Sequence, residues 1–382
     1  MSQTHAALEP DSPTQLTPSE ESEYWRGAYT WVRSDDGGWC QPWRLPPERA
    51  RRAHAPDLIE MAKMSAGVRV EFTTDADCLD LPLEFTPEVP DQGAPNVLDV
   101  IVDGQLTRFP LADGRQMVHH DLPPGSHDVR LWLPQAGYTA CGALTLTGAT
   151  QTRPWQPRPR WITYGSSISQ CHAAGGPSLT WPAITATALD WDLACLGFSG
   201  QCHLDPIAER AIAGLEADVI TLCLGINSYN ASAFSERTFA ARVSGFIERV
   251  REAHPRVPIL VVTPIGSPER ERTPNAVGLT LAAMRDMIAG AVAVLQADGG
   301  AGLLAKSSDA GTAHTARAEP EGFTPQGSGD RDLYLIDGRN MIGIDEGHLL
   351  HDGLHPSAEG YRVMGERMAE RLSQLDLSRP LR

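Results

Sequence analysis

Two hydrophobic rhythms divide this chain. From about Tyr24 to Thr150 apolar residues recur at every second position: Val68, Val70 and Phe72; Leu79, Leu81, Leu83 and Phe85; Val129, Leu131 and Leu133; Leu144 and Leu146. A period of two describes strands with one buried and one wet face, as in antiparallel sheets. Asp103-Gly104 and Pro124-Gly125 supply turns between such runs, and several short strands joined by turns predict a jelly-roll-like β-sandwich. After residue 159 the rhythm changes. Short apolar runs at Trp161–Tyr164, Leu193–Leu196, Val219–Leu224, Ile259–Val262 and Leu333–Ile336 alternate with helical stripes. One stripe is Phe239, Val243, Phe246, Ile247 and Val250, and Tyr361, Met364, Met368 and Leu372 form another. Asp205 before Pro206 is a helix N-cap signal. Strands alternating with helices predict a parallel sheet covered on both faces, a flavodoxin-like three-layer α/β/α domain.

The expected organisation is a disordered tail over 1–23, the β-sandwich over 24–150, a proline-rich linker over 151–158, and the α/β domain over 159–378. A flexible Ala/Gly/Ser-rich insertion is expected over 305–329.

Charge narrows the partners. With 48 acids against 32 bases the net charge is −16, which argues against nucleic acid and anionic membranes. No apolar run approaches the roughly 18 residues of a membrane helix. Seven scattered cysteines and a Ser/Thr/Pro/Glu-rich start predict reduced thiols in a cytoplasmic protein. The sequence leaves the oligomeric state open.

Ligands of open parallel sheets sit beyond the carboxyl ends of the strands. Four junctions there carry chemistry: Gly165-Ser166-Ser167 after the first strand, Gly197-Phe198-Ser199-Gly200 after the second, Gly225-Ile226-Asn227-Ser228 after the third, and Asp352-Gly353-Leu354-His355 before the last helix. Together they supply a hydroxyl, exposed backbone N–H groups, an amide and an Asp/His pair. Acyl transfer needs a nucleophile, a base, an orienting acid and an oxyanion hole of this kind.

In order and position these segments resemble the four blocks of the SGNH (GDSL) hydrolase superfamily, over roughly residues 158–376. The resemblance implies a serine esterase with Ser167 as nucleophile and His355 and Asp352 as base and acid. It also implies an oxyanion hole from the N–H groups of Ser167 and Gly200 and the amide of Asn227, and no metal or cofactor. Two positions depart from the pattern: Ser166 replaces the first block's aspartate, and Ser228 stands where many members have Asp. The sandwich more loosely resembles the β-domains preceding some bacterial carbohydrate esterases. The implied substrate is a short-chain acyl ester, acetyl being one candidate, of a small polar molecule or sugar. An acyltransferase or thioesterase using the same serine, a decayed binding module and a structural interaction protein are the rival readings.

Other features have plainer expectations. Ser166 and Ser169 read as local backbone hydrogen bonders, and Gly200 as a turn glycine as well as a donor. Trp25, Trp31, Trp39 and Trp43 read as packing residues, and the Cys171-His172 and Cys202-His203 pairs lack metal-site spacing. The loop Ser267–Asn275 could close over substrate, with Arg270 and Arg272 facing a polar or anionic group.

Overall fold

The computed structural model describes residues 13–88, 93–298 and 330–375. The 305–329 segment lies outside the described residues. In the first part of the chain two antiparallel sheets face one another. One has seven strands, with Cys78–Thr86 at its centre; Gly114–Asp121 pairs along one edge of that strand, and Leu144–Thr147 and Tyr138–Cys141 along the other. The other has six strands built around Arg69–Thr74 and His127–Trp132. Their inward residues, among them Val70, Phe72, Leu79, Leu81, Leu83, Phe85, Val129 and Leu131, are fully buried between the sheets. Asp103 and Gly104, at φ 48° and 81°, close a two-residue hairpin whose twist matches that of its strands.

Within the segment expected as a disordered tail over 1–23, residues 14–16 form a strand. Residues 1–12 lie outside the described residues, but Thr14–Leu16 pairs with Leu144–Leu146 at the margin of the larger sheet. The strand joins through its backbone and through Leu16, which is buried in the sandwich core, so a three-residue segment with one apolar residue still pairs. The proline-rich stretch likewise begins as sheet: Thr152–Arg153 pairs with Thr73–Thr74 before the chain leaves the sandwich.

The second part holds five parallel strands: Arg160–Gly165, Asp192–Gly197, Val219–Cys223, Ile259–Val262 and Leu333–Ile336. Their spatial order is second, first, third, fourth, fifth. That order places the topological switch point beside the first strand, where a ligand crevice opens. Helices Trp181–Leu189 and Ala358–Leu372 pack together, as do Pro206–Gly214, Glu236–Ala253 and Leu281–Asp298. Asp205 holds the N-cap position of Pro206–Gly214, yet its side chain makes no capping bond.

The second parallel strand lies at the sheet margin, where its outward carbonyls have no neighbouring strand. Two arginines from the sandwich side satisfy them. Arg69 donates to Leu193 O at 2.9 Å and pairs with Asp192, while Arg44 donates to the carbonyls of Cys195 and Gly197. Both side chains are fully buried. Gly67, at φ 80°, packs so closely that a Cβ there would sit 2.6 Å from Cys195 Cβ. An open edge is thereby closed by side chains instead of another strand. The hydrophobic core runs across the same seam, joining Leu45, Leu58, Ala62 and Trp132 to the α/β layers. Among the described residues no helix is long and apolar enough to cross a membrane.

Candidate active site

Ser167 opens the one-turn helix that follows the first parallel strand. Ser166 caps that helix: its Oγ accepts from Ile168 N at 3.2 Å. The residue that departs from the family pattern therefore does ordinary N-cap work. Ser169 does not act as expected, since its buried Oγ finds no backbone donor or acceptor. Ser167 Oγ lies 2.8 Å from His355 Nε2.

His355 and Asp352 ride on a tight turn before the last helix. An antiparallel bridge between Leu350 and Pro356, and a bond from His351 N to His355 O at 2.9 Å, close its base. Asp352 Oδ2 lies 2.7 Å from His355 Nδ1, and its other oxygen accepts from Leu354 N and His355 N at 2.9 and 2.7 Å. Burial alone would raise the Asp352 carboxyl. The imidazole and the two N–H groups more than offset that and hold it at about 2, well below its ordinary range. Asp352 is thus a fixed anion that orients the ring, and a proton can pass between Oγ and Nε2.

The remaining two junctions converge on the same place. Asn227 sits in the short helix after the third parallel strand, and its Oδ1 accepts from Cys202 N at 2.9 Å. That bond fixes the amide with its nitrogen on the opposite side. Gly200 lies in the 3₁₀ turn after the second strand. The expected left-handed turn residue is Ser199 instead, at φ 45°. A Cβ built on Gly200 would meet nothing within 4 Å. The protein's own packing therefore leaves room in front of this glycine. By contrast, Gly197 is required by the fold, because a Cβ there would press within 2.5 Å of Gln170 N.

Ser167, Gly200, Asn227 and His355 line one cleft of about 580 Å³. Its opposite wall comes from the N-terminal part of the chain, with Asp57, Glu60, Met61, Glu88 and Tyr138. The sequence carries no signal for that wall, because it is assembled by docking across the seam. His172, weighed above only for metal spacing, lies with its Nε2 2.9 Å from Glu88 at this wall. Arg270 does not point a free charge at substrate. Its guanidinium donates to Ser267 Oγ at 3.2 Å and to Gly353 O at 3.4 Å, and Ser267 Oγ donates to Gly353 O at 2.8 Å. Both residues brace the turn that carries Asp352 and His355. Arg272 is exposed and lies outside the cleft lining. Of the tryptophans, Trp25 is buried in the sandwich core and meets Trp31 edge-on at 5.3 Å, whereas Trp39 is only half-buried, beneath Arg115.

Comparison with known proteins agrees with this layout. Residues 162–363 match the model of the GDSL-like Lipase/Acylhydrolase family, and residues 24–138 match that of the SsfX3 N-terminal domain. No curated protein matches in sequence. Among solved structures, a salicylyl-acyltransferase, SsfX3, from a tetracycline biosynthetic pathway is similar at 27% identity. The match covers 97% of this chain and 99% of that one, with a TM-score of 0.78. A family two carbohydrate esterase from Clostridium thermocellum shares the fold at 17% identity, covering 81% and 93%, with a TM-score of 0.58. An acetyl xylan esterase from the rumen bacterium Butyrivibrio proteoclasticus shares it at 11% identity, covering 95% and 98%, with a TM-score of 0.58. With its parallel-sheet domain matched over more than half of the chain, this protein belongs to the GDSL-like lipase/acylhydrolase family.

Proposed function

We propose that this GDSL-family esterase cleaves a short-chain acyl ester of a small polar molecule or carbohydrate, with Ser167 as nucleophile. The observation that carries the reading is the continuous contact from Ser167 Oγ through His355 to Asp352, at 2.8 and 2.7 Å, at the wall of an open cleft. A serine hydroxyl is a weak nucleophile at neutral pH. His355 takes its proton as Oγ attacks the acyl carbon, and returns it to the departing alcohol. Asp352 holds the ring and stabilises the imidazolium. The N–H groups of Ser167 and Gly200 and the Asn227 amide face the oxygen that becomes negative, and water then releases the acyl group by the same steps. Acetyl is the favoured acyl group, by analogy with the acetyl xylan esterase that shares the fold. The cleft wall of Asp57, Glu60, Glu88 and Tyr138 offers partners to hydroxyl groups of the alcohol part.

The departure at Ser166 does not point to a decayed site, since its cap is made and the contact from Ser167 to His355 is in place; Ser228 Oγ is buried without a hydrogen-bond partner among the described residues. All seven cysteines are free, Cys40 and Cys141 even though they face one another across strands. We assign the protein to the reducing cytoplasm on the sequence ground of seven scattered cysteines in a long chain.

A panel of nitrophenyl acyl esters tests the reading. Wild type should hydrolyse short acyl chains, and Ser167→Ala should lower kcat/KM by about 10³-fold or more. Equal rates for both proteins would refute the assignment of Ser167. One observation supports a second reading, transfer of the acyl group to an alcohol: the end-to-end match to the salicylyl-acyltransferase. Adding alcohols to the same assay and measuring ester product against free acid separates the two.

A further inference from the structure

Away from the cleft, the outward face of the seven-stranded sheet carries a second chemically matched group. Cys78–Thr86 and Gly114–Asp121 pair in a register that sets Asp80 opposite His119 and Cys78 opposite Asp121. Leu79, Leu81 and Val118 point into the core, so the period of two sends these four side chains to the other face. Directly opposed Cβ atoms lie about 4.5–5.5 Å apart, so Cys78, Asp80 and His119 face a common point and Asp121 flanks the imidazole. The Cys78 thiol, the Asp80 carboxylate and the His119 imidazole each bring one ligand atom within 4.8 Å of the other two. His119 Nδ1 is 2.8 Å from Asp80 Oδ1, and Nε2 is 3.1 Å from Asp121 Oδ1.

We infer that Cys78, Asp80 and His119 form a binding site for a zinc-class divalent cation, with Asp121 holding the imidazole from its far side. One sulfur, one nitrogen and one oxygen donor suit a borderline-soft ion, whereas calcium or magnesium would call for oxygen donors throughout. Zinc bonds of about 2.0–2.3 Å place tetrahedral ligand atoms roughly 3.3–3.8 Å apart. Side-chain rotation on a fixed ladder reaches that spacing, opening the 2.8 Å Asp80–His119 contact and drawing in any wider separation within the 4.8 Å group. His119 Nδ1 faces the ion, and Nε2–H donates to Asp121, the carboxylate–histidine arrangement that fixes the ring of a metal-bound histidine. Solvent takes the fourth position. A plain ion pair would use His119 and the two aspartates but would give the adjoining thiol no part. Binding deprotonates Cys78 and displaces the proton that His119 Nδ1 shares with Asp80, and both protons pass to solvent. The bound ion would staple the strand Gly114–Asp121 to the sheet centre. The sequence reading assigned no metal, because strand register, not chain spacing, assembles this group.

Cobalt(II) added to the whole purified protein provides the test. One equivalent should give a near-ultraviolet thiolate-to-cobalt absorption, released by zinc(II) and accompanied by proton release. Cys78→Ser should abolish the absorption, His119→Ala should lose binding, and Asp121→Asn should weaken it by about 10–100-fold. His119 is exposed, so its variant should fold. His355→Ala, which disrupts the His351, Asp352 and His355 group at the catalytic turn, should leave the absorption unchanged. Absence of the band in wild type, or its persistence in Cys78→Ser, would overturn the proposal.

Discussion

The seam between sandwich and parallel sheet carries charge at both ends, handled in opposite ways. At the amino ends of the strands Glu71 is closed in: 2% exposed, in contact with Arg69 at 2.9 Å and Arg130 at 2.7 Å, and paired with Arg158. At the carboxyl ends Asp352 and His355 remain 41% and 29% exposed and contact each other at 2.7 Å. Burial would raise the Glu71 carboxyl, but three guanidiniums reverse the effect and hold it at about 2. Asp352 reaches a similar value through hydrogen bonds from one short turn. A structural charge is surrounded so that it stays ionised until the pH falls toward about 2. The pair proposed as base and acid is pinned from one side only, which leaves its other side open to the cleft. The same depressed carboxyl therefore serves stability at one end and chemistry at the other.

Substitutions separate the two ends. The largest effect is expected for Asp352→Asn, which leaves the turn in place but orients the wrong imidazole tautomer. kcat should fall about 10⁴-fold with the melting temperature almost unchanged, as steady-state kinetics beside thermal denaturation will show. Glu71→Gln should do the reverse. It leaves buried arginines short of a counter-charge and should cost about 3–5 kcal/mol of stability in denaturant titration, with kcat of the folded fraction preserved. A comparable loss of kcat in that variant would break the contrast between the two ends. Next comes Asn227→Ala, with an expected loss of about 10²–10³ in kcat and little change in KM, the signature of a donor used mainly in the transition state.

A pH series sharpens the same contrast. Glu71 is depressed in the folded state, so its contribution to stability is complete above its ordinary value of 4.5 and disappears as pH falls toward about 2. Unfolding measured across that window should show a steep acid loss in wild type and a flatter one in Glu71→Gln. The smallest effect is expected for Ser166→Asp. Both residues cap helices well, so stability should move by no more than about 0.5 kcal/mol.

Much of this was legible in the chain because period and order are local properties. The strand runs at Val219–Leu224 and Ile259–Val262 and the helix stripe from Phe239 to Val250 have their counterparts in the structure. Ser167, Gly200, Asn227 and His355, distant in sequence, line one cleft because each follows a strand end or precedes a helix on the same side of the sheet. What stayed hidden depends on docking. Nothing in the sequence marks Arg44 and Arg69 as buried, yet both are, and they satisfy the edge carbonyls of the second parallel strand. Thr14–Leu16 is too short to show an apolar rhythm; backbone pairing and the burial of Leu16 in the sandwich core recruit it. Arg270 looked like a substrate contact, but its position after the fourth strand brings it to the carbonyl of Gly353, where it braces the catalytic turn.

The central claim is that the hydroxyl of Ser167 becomes the acyl carrier. Treating the protein with a fluorophosphonate that traps serine nucleophiles, then mapping the adduct by mass spectrometry, tests this most directly. One equivalent bound at Ser167 in wild type, and strongly slowed labelling in His355→Ala, is the expected result. Stoichiometric labelling at another residue, or esterase turnover that survives full modification of Ser167, would contradict it.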